Sequence, residues 1–314
     1  MTTRRQIVLN FGAGAFAASV GAFAQQQLPQ TTFRVGYLSI FGRPPDGAPP
    51  GPLREGLRGL GYVEGKNIVY EARFADGAVD RLPGLAAELV RLKVDVIVTV
   101  GGPATRAAKQ ATSTISIVMA PAAGDAVATE LIVSLARPGG NVTGMTDESV
   151  QLSAKRMQLL TEAVPKAAVI AILWNVNDEG MTLRYREIEK AARILHVAVQ
   201  AISVRKPDDF AVAFATMTSR RPDAIFLVAD GFTIRNRKRV IEFAAAQGIP
   251  AMYEFSLYVR DGGLMSYGPD PDDAFREAAN FVDRILKGAR ATDLPAQQPT
   301  RYYLSRNSYQ VADR

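Results

Sequence analysis

No cysteine occurs anywhere in the 314 residues, and that absence removes several functions at once. Disulfides, thiolate catalysis and soft-metal sites are excluded, as is a lipoprotein tethered through an acceptor cysteine at its cleavage point. Histidine is nearly as scarce: His196 is the only one, set in Leu195-His196-Val197 just ahead of a strand pattern. A Ser-His-Asp triad would have to use it, yet no Gly-x-Ser-x-Gly elbow accompanies it. His196 therefore reads as a structural residue, and hydrolase chemistry has little support. Neither Gly-x-Gly-x-x-Gly nor Gly-x4-Gly-Lys-Ser/Thr is present, which argues against a nucleotide phosphate. Internal repeats and low-complexity tracts are also missing. No nucleophile–base pair and no metal-ligand cluster stands out, so the residues imply no cofactor.

What is present begins with an address. Thr3-Arg4-Arg5-Gln6-Ile7-Val8-Leu9 opens an apolar stretch rich in Gly and Ala that ends at Ala22-Phe23-Ala24 before polar Gln25. Paired arginines, an apolar centre and a small-x-small end make residues 1–24 a secretory signal, of the twin-arginine or the general type. The competing reading is an uncleaved membrane anchor. The run from Ile7 to Ala24 sits near the lower limit for a span, contains Asn10 and lacks a stop signal. A periplasmic location is expected. The formal net charge of +6 includes Arg4 and Arg5, so the mature chain carries +4. The densest basic group, Arg235, Arg237, Lys238 and Arg239, spreads around a helix instead of forming a stripe, and nucleic acid is not an expected partner.

From Phe33 onward, short β-branched runs alternate with amphipathic helical patterns. Strand patterns occupy Phe33–Ser39, Asn67–Ala72, Val94–Val100, Ile115–Met119 and Val142–Met145. A second series covers Val169–Trp174, Val197–Val204, Ala224–Ala229, Pro250–Tyr253 and Gly263–Tyr267. Wholly apolar strands such as Val96-Ile97-Val98 suit sheets covered on both faces. Helical spacing appears in Leu82, Leu85, Ala86, Leu89 and Leu92, and again in Phe275, Ala278, Ala279, Val282 and Leu286. The fold class is α/β: two doubly wound parallel-sheet lobes with functional loops at the carboxyl ends of their strands. The expected division is 33–144 plus 257–296 for lobe one and 145–256 plus 297–314 for lobe two, with the first crossing near Thr143–Glu148 and Thr146 within it. The Pro/Gly-rich loop Gly42–Pro52 would edge the cleft.

Several strand ends carry groups suited to a ligand. Gly101-Gly102-Pro103-Ala104-Thr105 opens a helix: glycine admits close approach, free N–H groups attract an anion, and Thr105 adds a hydroxyl. An ordinary strand-to-helix turn fits the same pattern. Asp125, after Met119-Ala120-Pro121, suits either helix capping or contact with a cation. Asn175 follows Trp174, and Asp230 precedes Gly231-Phe232; Asp230 fits capping and an ammonium contact equally. Phe255 follows Tyr253-Glu254, and Tyr37 and Ser39 end the first strand. An anion site on one lobe with acid and aromatic groups on the other suits a zwitterion such as an amino acid.

Gly61-Tyr62-Val63-Glu64-Gly65-Lys66-Asn67, Asp80-Arg81-Leu82-Pro83-Gly84-Leu85-Ala86-Ala87-Glu88-Leu89, Ser134-Leu135-Ala136-Arg137-Pro138-Gly139-Gly140-Asn141-Val142-Thr143-Gly144 and Gly262-Gly263-Leu264-Met265-Ser266-Tyr267-Gly268 resemble one group of bacterial ABC transporter substrate-binding proteins, across roughly residues 33–300. The resemblance implies a type I periplasmic-binding-protein fold, three crossing segments, hinge closure on a ligand, and amino-acid ligands that are often aromatic. The implied partners are a small molecule and an inner-membrane permease with a separate ATPase; the protein would be a monomer and not an enzyme. Two departures stand out. The family usually has a hydroxyl residue where Gly102 stands, so anion binding would lean on backbone N–H groups and Thr105. After Gln298-Pro299-Thr300 the family continues into a strand and helix, whereas this chain reads Arg301-Tyr302-Tyr303-Leu304-Ser305 and ends at Arg314, which predicts a second lobe without its final support. A sensor module presenting ligand to a membrane kinase is the alternative function, and an exported α/β enzyme a third.

Overall fold

The computed structural model describes residues 32–121, 124–146 and 149–307. The segment read as a signal, residues 1–24, lies outside these, as do Asp147 and Glu148 of the first crossing and residues 308–314.

The first lobe follows from its apolar strands. β1 (Phe33–Ser39), β2 (Ile68–Phe74), β3 (Val96–Val100), β4 (Ser116–Met119) and β5 (Val142–Gly144) form a sheet of order β2-β1-β3-β4-β5. Every neighbouring pair is parallel. Every residue of β3 is buried, as expected for a central strand with helices on both faces. α1 (Gly51–Gly59), α2 (Leu82–Arg91) and α3 (Gly102–Ala111) supply the crossovers. Leu82, Ala86 and Leu89 turn the apolar face of α2 inward.

The second lobe repeats the scheme. α4 (Ser149–Ala163), β6 (Val169–Asn175), α5 (Glu179–Ile194), β7 (Ala198–Val204), α6 (Asp209–Ser219), β8 (Ala224–Leu227), α7 (Gly231–Arg235), α8 (Arg237–Ala246), β9 (Ala251–Tyr253), α9 (Ser256–Arg260) and β10 (Met265–Gly268) follow one another. After them α10 (Pro271–Leu286) returns to the first lobe, packing on α1 and against β3, β4 and β5. Its buried stripe, Phe275, Ala278, Ala279 and Val282, joins the first lobe's core. β11 (Tyr303–Arg306) then closes the second sheet, whose order is β11-β10-β9-β8-β6-β7.

Two expectations are corrected here. The sequence places residues 257–268 in the first lobe, but β10 pairs in parallel with β9, Met265 opposite Met252. α9 and β10 therefore belong to the second sheet, and the second crossing is Pro269–Asp270, just ahead of α10. The final support of that sheet is also present: β11 runs antiparallel to β10, with Met265 opposite Arg306 and Gly268 opposite Tyr303. Its sequence, Tyr303-Leu304-Ser305-Arg306, is half-exposed on both faces, as an edge strand allows.

The first and third crossings lie side by side. Met145 bridges Gln297, the Thr146 N–H donates to the Gln297 carbonyl at 2.9 Å, and the Gln297 N–H donates to the Gly144 carbonyl at 2.9 Å. Main-chain bonds between the crossings hold them together, the arrangement of a hinge. His196 sits beyond the end of α5, exposed, with φ of +56°. It terminates the helix in a left-handed turn and takes no part in the cleft.

Candidate ligand-binding cleft

The carboxyl ends of the parallel strands of both sheets face each other; beside a space of about 310 Å³ lined by Arg106 and Glu179, two adjoining cavities lie between them. The larger, about 460 Å³, is walled by Tyr37, Phe41, Phe74, Val100 and Phe275 from the first lobe and by Ile234, Phe255 and Leu257 from the second. Its composition follows from strand exits: Tyr37 and Ser39 end β1, Phe74 ends β2, and Phe255 caps the short α9. The Tyr37 and Phe74 ring centroids are 5.6 Å apart at a tilt of 53°, within the range of favourable aromatic pairs. Burial pushes the Tyr37 phenol well above its usual range, partly offset by the Ser39 hydroxyl beside it, so it stays a protonated donor. Ser39 Oγ accepts the Phe41 N–H at 3.0 Å.

The proline-rich loop lines the same cavity through Pro44, Asp46, Pro49 and Pro50. One side chain holds it in place. Arg54 on α1 meets the Asp46 carboxylate at 3.0 Å and donates Nε–H to the Pro49 carbonyl at 2.9 Å.

The smaller cavity, about 20 Å³, is polar on one wall. Asn175, Asp178, Asp230, Gly231 and Phe232 come from the second lobe; Ile40, Gly101, Gly102 and Pro103 come from the first, and Phe41 lines both cavities. Asn175 donates Nδ2–H to Asp230 at 2.6 Å, while the Thr233 N–H reaches the other Asp230 oxygen at 2.8 Å. Asp230 thus caps α7 in a full capping box and still lines the cavity. Asp178 caps α5 through the Gly180 N–H at 2.9 Å and the Met181 N–H at 3.4 Å. Burial, together with the charge of Asp230, raises the Asp178 pKa above the ordinary carboxylate value. Opposite these acids stands the glycine turn. Gly101 has φ of +94°, and a Cβ there would come within 2.5 Å of Ile40.

Between the cavities the lobes touch. A Cβ on Gly231 would meet Ile40 Cγ2 at 2.9 Å, so the glycine admits the isoleucine from the opposite lobe. Arg235 on α7 donates to the Asp76 carbonyl of the first lobe. The Asp76 side chain accepts from Arg81 at 2.8 Å and from the Arg43 N–H at 3.1 Å, and the Arg81 bond is the main cause of a pKa below the usual value. Arg106 and Glu179 form a wider pair across the cleft at 3.8 Å.

Of the expected contacts, the fold brings Tyr37, Ser39 and Phe255 to the larger cavity and Gly101, Gly102, Asn175 and Asp230 to the smaller. Three lie elsewhere. Thr105 is fully buried in α3, its hydroxyl engaged with Thr99 at 2.8 Å and the Gly101 carbonyl at 3.2 Å. Asp125 accepts the Val127 and Ala128 N–H groups at 3.1 and 2.9 Å, closing a turn over residues 126–130 where no helix forms for it to cap. Thr146 ties the crossing to the Gly124 carbonyl at 2.8 Å. Trp174, beside Asn175, packs into the second lobe's core, stacked on Tyr185 at 4.0 Å.

The sequence reading missed a buried ionic group behind the polar wall. Glu254, directly after β9, meets Arg184 of α5 at 2.8 Å and Arg156 of α4 at 3.4 Å, all three nearly or wholly shielded from solvent. Arg184 also donates to the Ala229 carbonyl at 3.3 Å, and Arg156 to the Tyr267 carbonyl at 2.6 Å. The signal was available: Arg184 occupies the inward stripe of α5 with Met181, Ile188, Ala191 and Ala192. An arginine on an apolar face must be paired inside the protein. Among the described residues no cluster of three or more His, Asp or Glu stands ready to hold a metal, and no helix is long and apolar enough to cross a membrane.

Comparison with known proteins gives this cleft a context. Residues 48–308 match the family model described as ABC transporter substrate binding protein. A curated relative, a tyrosine-binding protein from Clostridioides difficile, is 25% identical over 240 residues, covering 76% of this chain and 68% of the relative. Among solved structures, a conserved domain protein from Vibrio cholerae superposes with a TM-score of 0.83 at 26% identity, over 89% of this chain and 93% of that one. A Streptococcus pneumoniae ABC domain in complex with L-Trp superposes with a TM-score of 0.79 at 22% identity, over 88% of this chain and 93% of that one.

Proposed function

Because the chain belongs to the ABC transporter substrate-binding protein family, a family of solute binders and not of enzymes, we propose that it is the exported, monomeric receptor of an importer and that its ligand is an aromatic amino acid. The observation that carries this reading is the pairing of the two cavities: an aromatic-lined space of about 460 Å³ abuts a wall of Asn175, Asp178 and Asp230. A ring would enter the first and the amino end would face the second. The volume lies within the range of small-molecule sites, roughly 300–1,000 Å³. Burying an aromatic side chain of roughly 150–250 Å² contributes about 4–6 kcal/mol before ordering costs. The tyrosine-binding relative and the tryptophan-bound neighbour support the same class.

Delivery requires no covalent step. Ligand binding would draw the lobes together about the paired crossings, and the closed pair of lobes would be what a membrane permease and its ATPase accept. The arginine-led segment 1–24 would carry the chain out of the cytoplasm.

Thermal denaturation with a panel of amino acids and sugars tests the reading. L-Trp, L-Tyr or L-Phe at about a hundred times its Kd should raise stability by about 2.7 kcal/mol, a shift of several degrees. Equal indifference to all three, with a shift for a sugar, would overturn it.

A further inference from the structure

The polar cavity is charged on one side only. Asp178 and Asp230 line it together with Asn175, and its other lining residues include no lysine, arginine or histidine. The arginines around it have partners of their own: Arg184 meets Glu254 and the Ala229 carbonyl, Arg54, which lines the aromatic cavity, meets Asp46 and the Pro49 carbonyl, and Arg106, beyond Gly102 and Asp178, donates to the Thr129 carbonyl at 2.9 Å. Within this polar cavity a ligand carboxylate would therefore find only main-chain N–H groups at the start of α3. The one hydroxyl in that turn, on Thr105, points into the helix toward Thr99 and Gly101, and Gly102 supplies none. An ammonium would sit between two carboxylates held rigidly by the caps they form on α5 and α7, where charge-assisted bonds are strongest. It would also relieve the repulsion between Asp178 and Asp230 that the cavity otherwise sustains.

We propose that the ammonium group alone defines the ligand class, so that the cleft takes arylalkylamines lacking any carboxylate as readily as aromatic amino acids. This rests on the aromatic amino-acid reading of the cleft and extends it. The carboxylate contributes little, because exposed main-chain donors at one helix end are a weak substitute for a paired cation. The ring and the ammonium carry the affinity.

Titration calorimetry on the full chain separates the two readings, with three matched sets of probes. L-Tyr, L-Trp and L-Phe carry both charges; tyramine, tryptamine and phenethylamine carry only the ammonium; the corresponding 3-arylpropionates carry only the carboxylate. The amines should bind within about tenfold of their amino acids, and the arylpropionates should lose at least about a hundredfold. Amines weaker than their amino acids by more than about tenfold would overturn the proposal while leaving the amino-acid reading intact. Failure of all three sets would remove both. Gly102→Ser, which adds a hydroxyl donor on helical backbone, should tighten amino acids and leave amines unchanged; equal tightening of both would count against the proposal. Asp178→Asn keeps a good helix cap and should weaken amines by about tenfold or more, with an unchanged melting profile shape showing that the fold is kept. Unchanged amine affinity in that variant would also overturn it.

Discussion

Single residues decide whether the cleft can close and what it holds. Gly231→Ala would set a methyl 2.9 Å from Ile40 Cγ2. The variant should fold and melt normally yet bind ligand about tenfold or more weakly by calorimetry, and adding Ile40→Val should recover part of the loss. Asp178 carries a cost in the ligand-free protein. Its pKa is raised on folding, so ionisation disfavours the folded state at neutral pH and ceases to do so as pH falls below the unfolded value. Asp178→Asn should therefore raise the ligand-free melting temperature at pH 7 while weakening binding, and the melting temperatures of variant and parent should converge near pH 3. Asn175 and Asp230, expected from the sequence as contacts, line the smaller cavity because they stand at strand exits that open into the cleft. Thr105 and Asp125 line neither cavity, because a hydroxyl inside a helix or a carboxylate ahead of a turn bonds local main-chain groups as readily as a ligand. Only the third dimension separates those roles.

At the level of elements, the second lobe is held behind its ligand wall by ions as well as by apolar packing. Glu254 joins α4, α5 and the end of β9 through two buried guanidinium groups. Glu254→Gln should lower stability by about 3–5 kcal/mol, measured by urea denaturation, because it strands buried positive charge. The strands and helix faces were legible almost throughout, since period-two and 3.6-residue patterns are written locally. The allegiance of Gly263–Tyr267 was not. Its sequence says strand, but which sheet it joins depends on a pairing with β9 that lies more than ten residues away. Arg156 and Arg184 went unread for a related reason: a search for apolar stripes passes over a charge placed inside one.

Across the whole molecule, closure rests on contacts between lobes that are few and differ in kind. Arg106–Glu179 is wide and solvent-exposed, with side chains 43% and 76% accessible, and should contribute almost nothing. Arg235 reaches from α7 to the Asp76 carbonyl. Arg235→Ala should leave the melting temperature nearly unchanged and speed ligand dissociation several-fold in stopped-flow measurements, since the bond joins the two lobes and breaks when they part.

The acceptor in that bond is a main-chain oxygen. It belongs to a neutral amide, so the bond joins the lobes without a carboxylate partner. Mobile ions weaken exposed charge pairs far more than a hydrogen bond to a neutral group. An exported receptor, as proposed for this chain, would meet whatever salinity the surroundings impose. Of the two polar contacts described between the lobes, the Arg235 bond is the one that salt weakens less.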